Sequence, residues 1–452
     1  MVLFRRAVCL ACGLAVQLLT GSALGSGFSV ARFTGEHGHP TTDNPTALYF
    51  NPAALRGQHS ELLVDGLFGL RLVTYTREAQ PSDGAEAAGA EGANAGRATL
   101  SNFLASPSLW LALAATPELE LAAGVFTPFG GPISWDEREA YANAPYPGPV
   151  DGVTRFHAIE GLSITSYGSL GASYRLGESG LRLGLAANLM YTRIEDVRAW
   201  SSGSNAVAGE GRSLLEVSGL AWGLGAGVFY ESETKRWRVG ASYQSRPNLA
   251  GGMSLEGELS NNIGGPSSAD VALHEDLPDI VRLGVAHQAL SNVELRLFGA
   301  WERWSAFERQ CVTQAGAECE LLENGGQPDG GRVLQNVPRD FQDAFEARLG
   351  ASIWPSRRWE VFAGLGIMSE AVPEATLEAS LPDFFGVTFS LGAALEVSRS
   401  LRVAASLAHI VSPARDADST FQSYALPSKL PSASGHYTQS VSYADLNVAL
   451  RF

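Results

Sequence analysis

Beyond its first twenty-five residues this chain has no apolar run that approaches the roughly 20 residues a bilayer-spanning helix needs. A helical membrane protein is thereby excluded. A transmembrane barrel is not, because alternating strands average out, and the mean hydropathy here is near zero. Basic residues are also in short supply, 32 Lys and Arg against 47 Asp and Glu, for a formal net charge of -15. Nucleic acid is therefore not expected as a partner, since phosphate binding requires a basic surface. No Pro/Ser-rich linker divides the 452 residues into separate domains. The sequence motifs of enzymes are missing as well: no nucleophile elbow, no HExxH, no phosphate-binding glycine loop. His37 and His39 flank a glycine, but two histidines without an evident carboxylate or thiol partner make a poor metal site, and a Ser/His pair is conceivable between His409 and Ser406 or Ser412. The expectation is a protein with no enzymatic activity, no cofactor and no bound metal.

Cysteine is scarce, four in the chain, and two of these fall in the amino-terminal leader. Arg5 and Arg6 precede an apolar run from Ala7 to Leu19, broken only by Gln17, and a small-residue stretch ends at Ala23-Leu24-Gly25. That order predicts a cleaved signal peptide over residues 1–25. Cys311 and Cys319 remain, close together in a polar, Gly-rich stretch. Secretion places them in an oxidising compartment, so a local disulfide closing a surface loop is expected.

What the chain does contain is a period of two. In "GLRLGLAANLMYTR", Leu181, Leu183, Leu185, Ala187, Leu189 and Tyr191 share one face, and Arg182, Gly184, Ala186, Asn188, Met190 and Thr192 share the other. Phe345 to Ile353, Trp237 to Gln244 and the final Asp445 to Phe452 repeat the pattern. Six short turns alternate with seven long loops rich in Gly, Ala, Ser, Asp and Pro, which predicts fourteen strands between about Glu61 and Phe452 with both chain ends on the short-turn side. A soluble sandwich would bury the apolar faces against each other. The length of the strands and the aromatic residues near their ends, Trp237, Trp301, Trp304, Trp354, Trp359, Phe384 and Phe385, favour instead an all-β transmembrane antiparallel barrel with interfacial girdles.

One segment does not fit a wall strand. "SGFSVARFTGEHGHPTTDNPTALYFNPAALRG" is rich in Gly and Pro and irregular in pattern. It resembles the amino-terminal hatch of the long-chain fatty acid transporter family of Gram-negative outer membranes, the FadL/TodX type, most specifically at Asn51, Pro52 and Ala53 behind "DNPTALYF". Further pieces occur in the family's order: "GVFTPFGGPISW" from Gly124, "AWGLGAGVFYE" from Ala221, "LPDIVRLGV" from Leu277, "ERWSAFE" from Glu302 and "VPEATLEASLPD" from Val372. The resemblance implies a 14-stranded barrel over residues 61–452, plugged by a hatch over residues 26–60. It further implies passive uptake of hydrophobic compounds such as long-chain fatty acids through a lumenal pocket, with sideways release where the third strand is kinked.

An apolar pocket suits such a ligand, because each buried methylene gains about 0.8 kcal/mol. Phe28, Phe33, Leu48, Tyr49 and Phe50 of the hatch, with Phe126 and Phe129 of the third strand, are the candidates to line it. Arg309 is the candidate for a carboxylate head group, and Arg282 and Arg348 could also point into the lumen. Pro128 either opens the wall, since it cannot donate to a ladder, or begins the extracellular loop. The carboxy-terminal Phe452 resembles the aromatic signal read by the outer-membrane assembly machinery. The partners expected are the hydrophobic ligand, outer-membrane lipid and lipopolysaccharide and that machinery, with the chain as a monomer. The alternatives are a transporter of aromatic hydrocarbons, or a barrel serving as adhesin or structural protein.

Overall fold

The computed structural model describes residues 31–56, 59–80, 90–143, 148–201, 210–249, 252–262, 266–323, 325–418 and 432–452; the leader and Phe28 lie outside them. No helix among the described residues is long and apolar enough to cross a membrane. The segments are β1 (Glu61–Arg77), β2 (Gly96–Ala114), β3 (Leu119–Ser134), β4 (Glu160–Arg175), β5 (Leu181–Ser201), β6 (Glu210–Glu231), β7 (Trp237–Gln244), β8 (Met253–Asn261), β9 (Ser267–Glu275) and β10 (Ile280–Leu290). They continue with β11 (Val293–Glu302), β12 (Arg309–Gln314), β13 (Val333–Pro338), β14 (Ala344–Ile353), β15 (Trp359–Met368), β16 (Gly386–Glu396), β17 (Leu401–Val411), β18 (Arg415–Ala417) and β19 (Gly435–Arg451).

All pair antiparallel in one sheet, and β19 returns to β1 from Glu61↔Arg451 to Thr76↔His436, which closes it. Five pairs of segments continue each other across a break: β7 with β8, β9 with β10, β11 with β12, β13 with β14 and β17 with β18. Thus β6 bonds to both β7 and β8, and β19 to both β17 and β18. Among the described residues the wall therefore has fourteen strands, the number expected from the turns. Closure leaves the wall without a terminal edge strand, as a backbone in lipid requires.

The strand faces settle which side meets lipid. Leu185 is 69% exposed, Leu220 67% and Leu407 66%, whereas Arg182, Asn188 and Thr192 on the opposite face of β5 are buried. The apolar faces point outward and the polar ones inward, the reverse of a soluble sandwich. Trp237 and Trp359 sit exposed near the short-turn end, as a girdle requires. Trp304 and Phe384 do not: both are buried inside the barrel. A 3-10 turn over Trp304–Ala306 interrupts the alternation after β11 and swings Trp304 inward.

Residues 31–56 fill the lumen on the short-turn side. A 3-10 turn (Gly35–His37), a short helix α1 (Ala47–Phe50) and a second 3-10 turn (Pro52–Ala54) follow in order. Asn44 folds back to accept the Thr46 N–H at 2.9 Å, and the Asn51 side chain accepts the Ala53 N–H at 3.1 Å while Pro52 presets the turn. Asn51 Nδ2 also donates to Pro40 O at 2.9 Å and to Val228 O on β6 at 3.1 Å, tying the segment to itself and to the wall. Charged ties add to these: Arg56 to Asp43 (2.8 Å) and Glu231 (3.1 Å), and His37 to Glu360 on β15 (2.9 Å).

The close approach depends on glycines of the wall. A Cβ on Gly184 would lie 2.6 Å from Ala53 Cα and overlap neighbouring backbone atoms; one on Gly227 would meet the Asn51 carboxamide, and one on Gly240 would meet Pro40 and Asn51. With Gly171 against Leu48, these four glycines line a track across β4 to β7 on which the amino-terminal segment lies without intervening side chains.

Candidate functional site

The wall is incomplete between β2 and β3. The β2–β3 ladder runs from Ala114↔Glu120 to Leu109↔Val125 and then stops. Farther up, β2 and β3 meet again only at the bridge Leu100↔Trp135, with Asp136 N donating to Thr99 O at 2.9 Å and Thr99 N to the Asp136 carboxylate at 2.6 Å. Between these two points β2 and β3 form no backbone ladder, and Asn102 Nδ2 reaches across to Pro132 O at 2.6 Å.

Three prolines explain the break: Pro107 on β2, and Pro128 and Pro132 on β3, carry no N–H for a ladder. The bend is a bulge, because from Phe126 to Phe129 β3 advances three residues while β4 advances two, from Tyr167 to Thr165. Gly130 completes it at φ +109°, where a Cβ would also come within 2.8 Å of Ile164 Cα. Pro128 thus lies within β3, with pairing to β4 continuing to Ser134, and does not begin the extracellular loop.

Behind the break is a cavity of about 130 Å³. Phe129, Gly130, Gly131, Pro132 and Ile133 form its wall-side lining, and Ile194, Leu215, Leu273, Leu277, Trp304 and Phe307 supply further apolar surface. An aromatic series leads from it down to the amino-terminal segment. Trp304 and Phe129 are 6.1 Å apart, Phe129 and Tyr167 6.3 Å, Tyr167 and Phe126 5.6 Å, and Phe126 and Phe33 5.3 Å. Phe126 also stacks on Trp110 of β2 at 4.2 Å, just below the end of the ladder.

Loop residues 369–385 roof the cavity, with Ser380 and Leu381 in its lining. Trp135 Nε1 donates to Ala379 O at 3.1 Å, and Arg415 donates to Asp383 O (2.9 Å) and Val372 O (2.6 Å). Glu378, fully buried, accepts from Arg339 at 2.6 Å and pairs with His157 at 2.8 Å, linking the roof to the break between β13 and β14 and to the loop before β4. Asp383 accepts the N–H groups of Ala371, Val372 and Phe384. Burial nonetheless holds its carboxyl above the ordinary carboxylate value, against those three bonds.

The sequence-predicted residues separate into groups. Phe129 lines the cavity. Phe33, Leu48, Tyr49, Phe50 and Phe126 are buried in the continuous apolar core that joins the amino-terminal segment to the wall. Asn51, Pro52 and Ala53 form the turn against the glycine track. Arg282 stacks over the Tyr49 ring at 4.4 Å, and Arg348 pairs with Glu346 and approaches Glu36 at 4.0 Å, so both serve the seating of the amino-terminal segment. Arg309 lies near Glu308, half exposed, and is not in the cavity lining. The arginines that are in that lining, Arg71, Arg198 and Arg339, were not singled out from the sequence. A signal for part of the pocket was present: on the inward face of β5 the series Gly184, Ala186, Asn188, Met190, Thr192 ends in Ile194, and Leu215 occupies an inward position on β6. Cys311 and Cys319 form a disulfide with Cα atoms 6.2 Å apart. His409 bonds to Ser442, not to Ser406 or Ser412, at 2.9 Å. Phe452 N donates to Ser60 O at 3.0 Å beside the closing ladder.

Comparison with known proteins gives one family model, described as outer membrane protein transport protein (OMPP1/FadL/TodX), which matches residues 8–452. Among solved structures the fold is similar to a Pseudomonas aeruginosa FadL homologue, with a TM-score of 0.74 at 15% identity, covering 95% of this chain and 98% of that one. It is also similar to the Ralstonia pickettii toluene transporter TbuX (TM-score 0.62, 15% identity, 95% and 98% covered). The Pseudomonas putida toluene transporter TodX gives a TM-score of 0.63 at 15% identity, with 95% and 99% covered. A sequence search of curated proteins returns no match.

Proposed function

We infer the finer function from one premise: this chain belongs to the OMPP1/FadL/TodX family of outer membrane transport proteins, and so is a Gram-negative outer-membrane barrel that carries hydrophobic compounds. Its ligand, in our reading, is a long-chain fatty acid, held in the cavity behind β3 and released sideways into the bilayer between β2 and β3. The observation that carries this is the coincidence of the one with the other: the apolar cavity abuts the stretch where the β2–β3 ladder is missing. An alkyl chain moving from that cavity to lipid exchanges one apolar environment for another, whereas a path straight down would meet the buried amino-terminal segment and its ionic ties.

In this reading residues 26–60 are the hatch, and residues 61–452 the barrel. Phe33, Leu48, Tyr49, Phe50 and Phe126 hold the hatch and shape the cavity floor, while Phe129 touches the ligand. The protein works as a monomer in contact with outer-membrane lipid and lipopolysaccharide, inserted by the assembly machinery through its last strand and Phe452. It catalyses no reaction. Similarity to toluene transporters makes a monoaromatic hydrocarbon the second ligand to measure.

The test is uptake of radiolabelled oleate and radiolabelled toluene by cells lacking their own transporter. Deleting Pro128 removes the extra residue of the bulge, so that β3 and β4 stay in register and β3 can rejoin β2. Oleate uptake by the wild type, reduced by the deletion to the level of cells without the protein, is the expected result. Undiminished oleate uptake through an inserted Pro128-deleted barrel excludes the lateral route, and uptake of toluene alone reassigns the ligand.

A further inference from the structure

The three arginines of the cavity are not equivalent. Arg339 pairs with Glu378 at 2.6 Å, and Arg198 bonds to Gln335 and approaches Asp196 at 3.9 Å. Arg71 is 2% exposed, and among the described residues no carboxylate lies within ion-pair distance of it. Its Nε donates to Gln439 Oε1 at 2.8 Å and its Nη2 to Pro382 O, while its Nη1 makes no hydrogen bond among those residues. Asp383, next along the roof loop, has both carboxylate oxygens engaged by the N–H groups of Ala371, Val372 and Phe384. The Asp383 charge acts on Arg71 through space without touching it, and a buried guanidinium with no carboxylate in contact is costly, a cost relieved when an anion arrives.

Its position shows where that anion would come from. In the β1–β2 ladder Arg71 stands opposite Asn102, the residue that reaches across the break to Pro132 O. Arg71 and Pro132 line the same cavity. The cation is thus at the edge of the wall opening, with apolar surface from Phe129, Ile133 and Trp304 on the other side of the same space.

We propose that Arg71 is the head-group site of this cavity and selects amphiphiles that carry a carboxylate over neutral hydrophobic compounds of the same shape. The proposal rests on the transport reading above. The planar guanidinium suits a carboxylate, with Nη1 as the available donor, and the alkyl chain then lies against the aromatic surface. The other two arginines already have polar partners in the folded protein, so they set the field of the site without supplying its vacant charge.

Oleate and oleyl alcohol separate this role from a structural one, because they share a chain and differ in the head. Binding of each labelled compound to purified protein, and uptake of each by cells, are measured for the wild type, Arg71→Gln and Arg71→Lys. The wild type is expected to prefer oleate by about ten-fold, the discrimination typical of one charge-assisted contact. Arg71→Gln abolishes that preference by weakening oleate while oleyl alcohol stays unchanged, and Arg71→Lys, which keeps the charge, retains most of it. If Arg71 only pins the roof through Pro382 O, both ligands weaken together in Arg71→Gln, and the proposal is overturned. It is overturned equally if the wild type shows no preference. Wild-type protein that takes up neither compound removes the transport reading itself, and this proposal with it.

Discussion

A Gly184→Val barrel is expected to insert normally but to leak. The added side chain points inward from β5, where even a Cβ overlaps the backbone at Pro52 and Ala53. Backbone cannot move aside as a flexible side-chain end can, so the overlap costs about 3 kcal/mol or more, at the upper end for overpacking. The Ser173 hydroxyl, which donates to Ala53 O at 3.1 Å, loses its partner in the same step. The wall itself loses nothing, since its ladder bonds are backbone bonds made on either side of Gly184. The hatch then lifts from its track and leaves a fourteen-stranded lumen partly open. Passage of a hydrophilic antibiotic that an intact outer membrane excludes, together with larger conductance steps in planar bilayers, measures this. Gly168→Val is the control, because a Cβ there meets nothing within 4 Å and the residue faces outward. A tight Gly184→Val barrel would show that the hatch does not depend on the glycine track.

The second large effect is expected at Glu378→Ala. Glu378 is fully buried between the Arg339 guanidinium and the His157 ring, and removing it takes the paired carboxylate from a buried cation. Breaking a buried ion pair from one side costs about 3–5 kcal/mol. That energy falls on the roof rather than on the barrel, because Glu378 lies in the loop between β15 and β16, and Arg339 and His157 lie outside the strands. Amide exchange across residues 371–384 should therefore accelerate by about two to four orders of magnitude, following the loss of local stability, while strands β4 to β6 keep their protection. Hydrogen-exchange mass spectrometry separates the two regions. Exchange that is unchanged at residues 371–384 would mean that Trp135, Arg415 and Asp383 hold the roof without Glu378.

Different parts of this architecture were legible at different distances along the chain. The alternation in β5, β14 and β19 is a property of neighbouring residues, so the wall, its outward apolar face and the number of strands could be read directly. Pro128 could be named as a candidate for the kink that the family resemblance implies in the third strand, because a missing N–H is a fact about one residue. Whether it opened the wall or ended the strand depended on β2 and β4, which the local sequence does not contain.

The aromatic residues were misplaced where the alternation is interrupted. Trp304 follows Trp301 closely, and a continued strand would keep it near the interface, but the 3-10 turn at Trp304–Ala306 restarts the count and delivers it to the cavity. Arg309, expected at the head group from the family resemblance and not from the alternation, is not in the cavity lining. Arg339 lies in the break between β13 and β14, where no period applies at all.

The sequence by itself determined that this protein is a closed outer-membrane barrel with an irregular amino-terminal segment, because burial in lipid imposes a period of two on every strand and forbids a free edge. Only the tertiary structure decided which inward positions seat the hatch and which form the cavity. Both sets obey the same period: Gly184, Arg182 and Ile194 all face inward from β5, and nothing local separates them. Their roles come from depth in the barrel and from residues hundreds of positions away: Arg71 is held in the cavity lining by Gln439 and Pro382, from the far end of the chain.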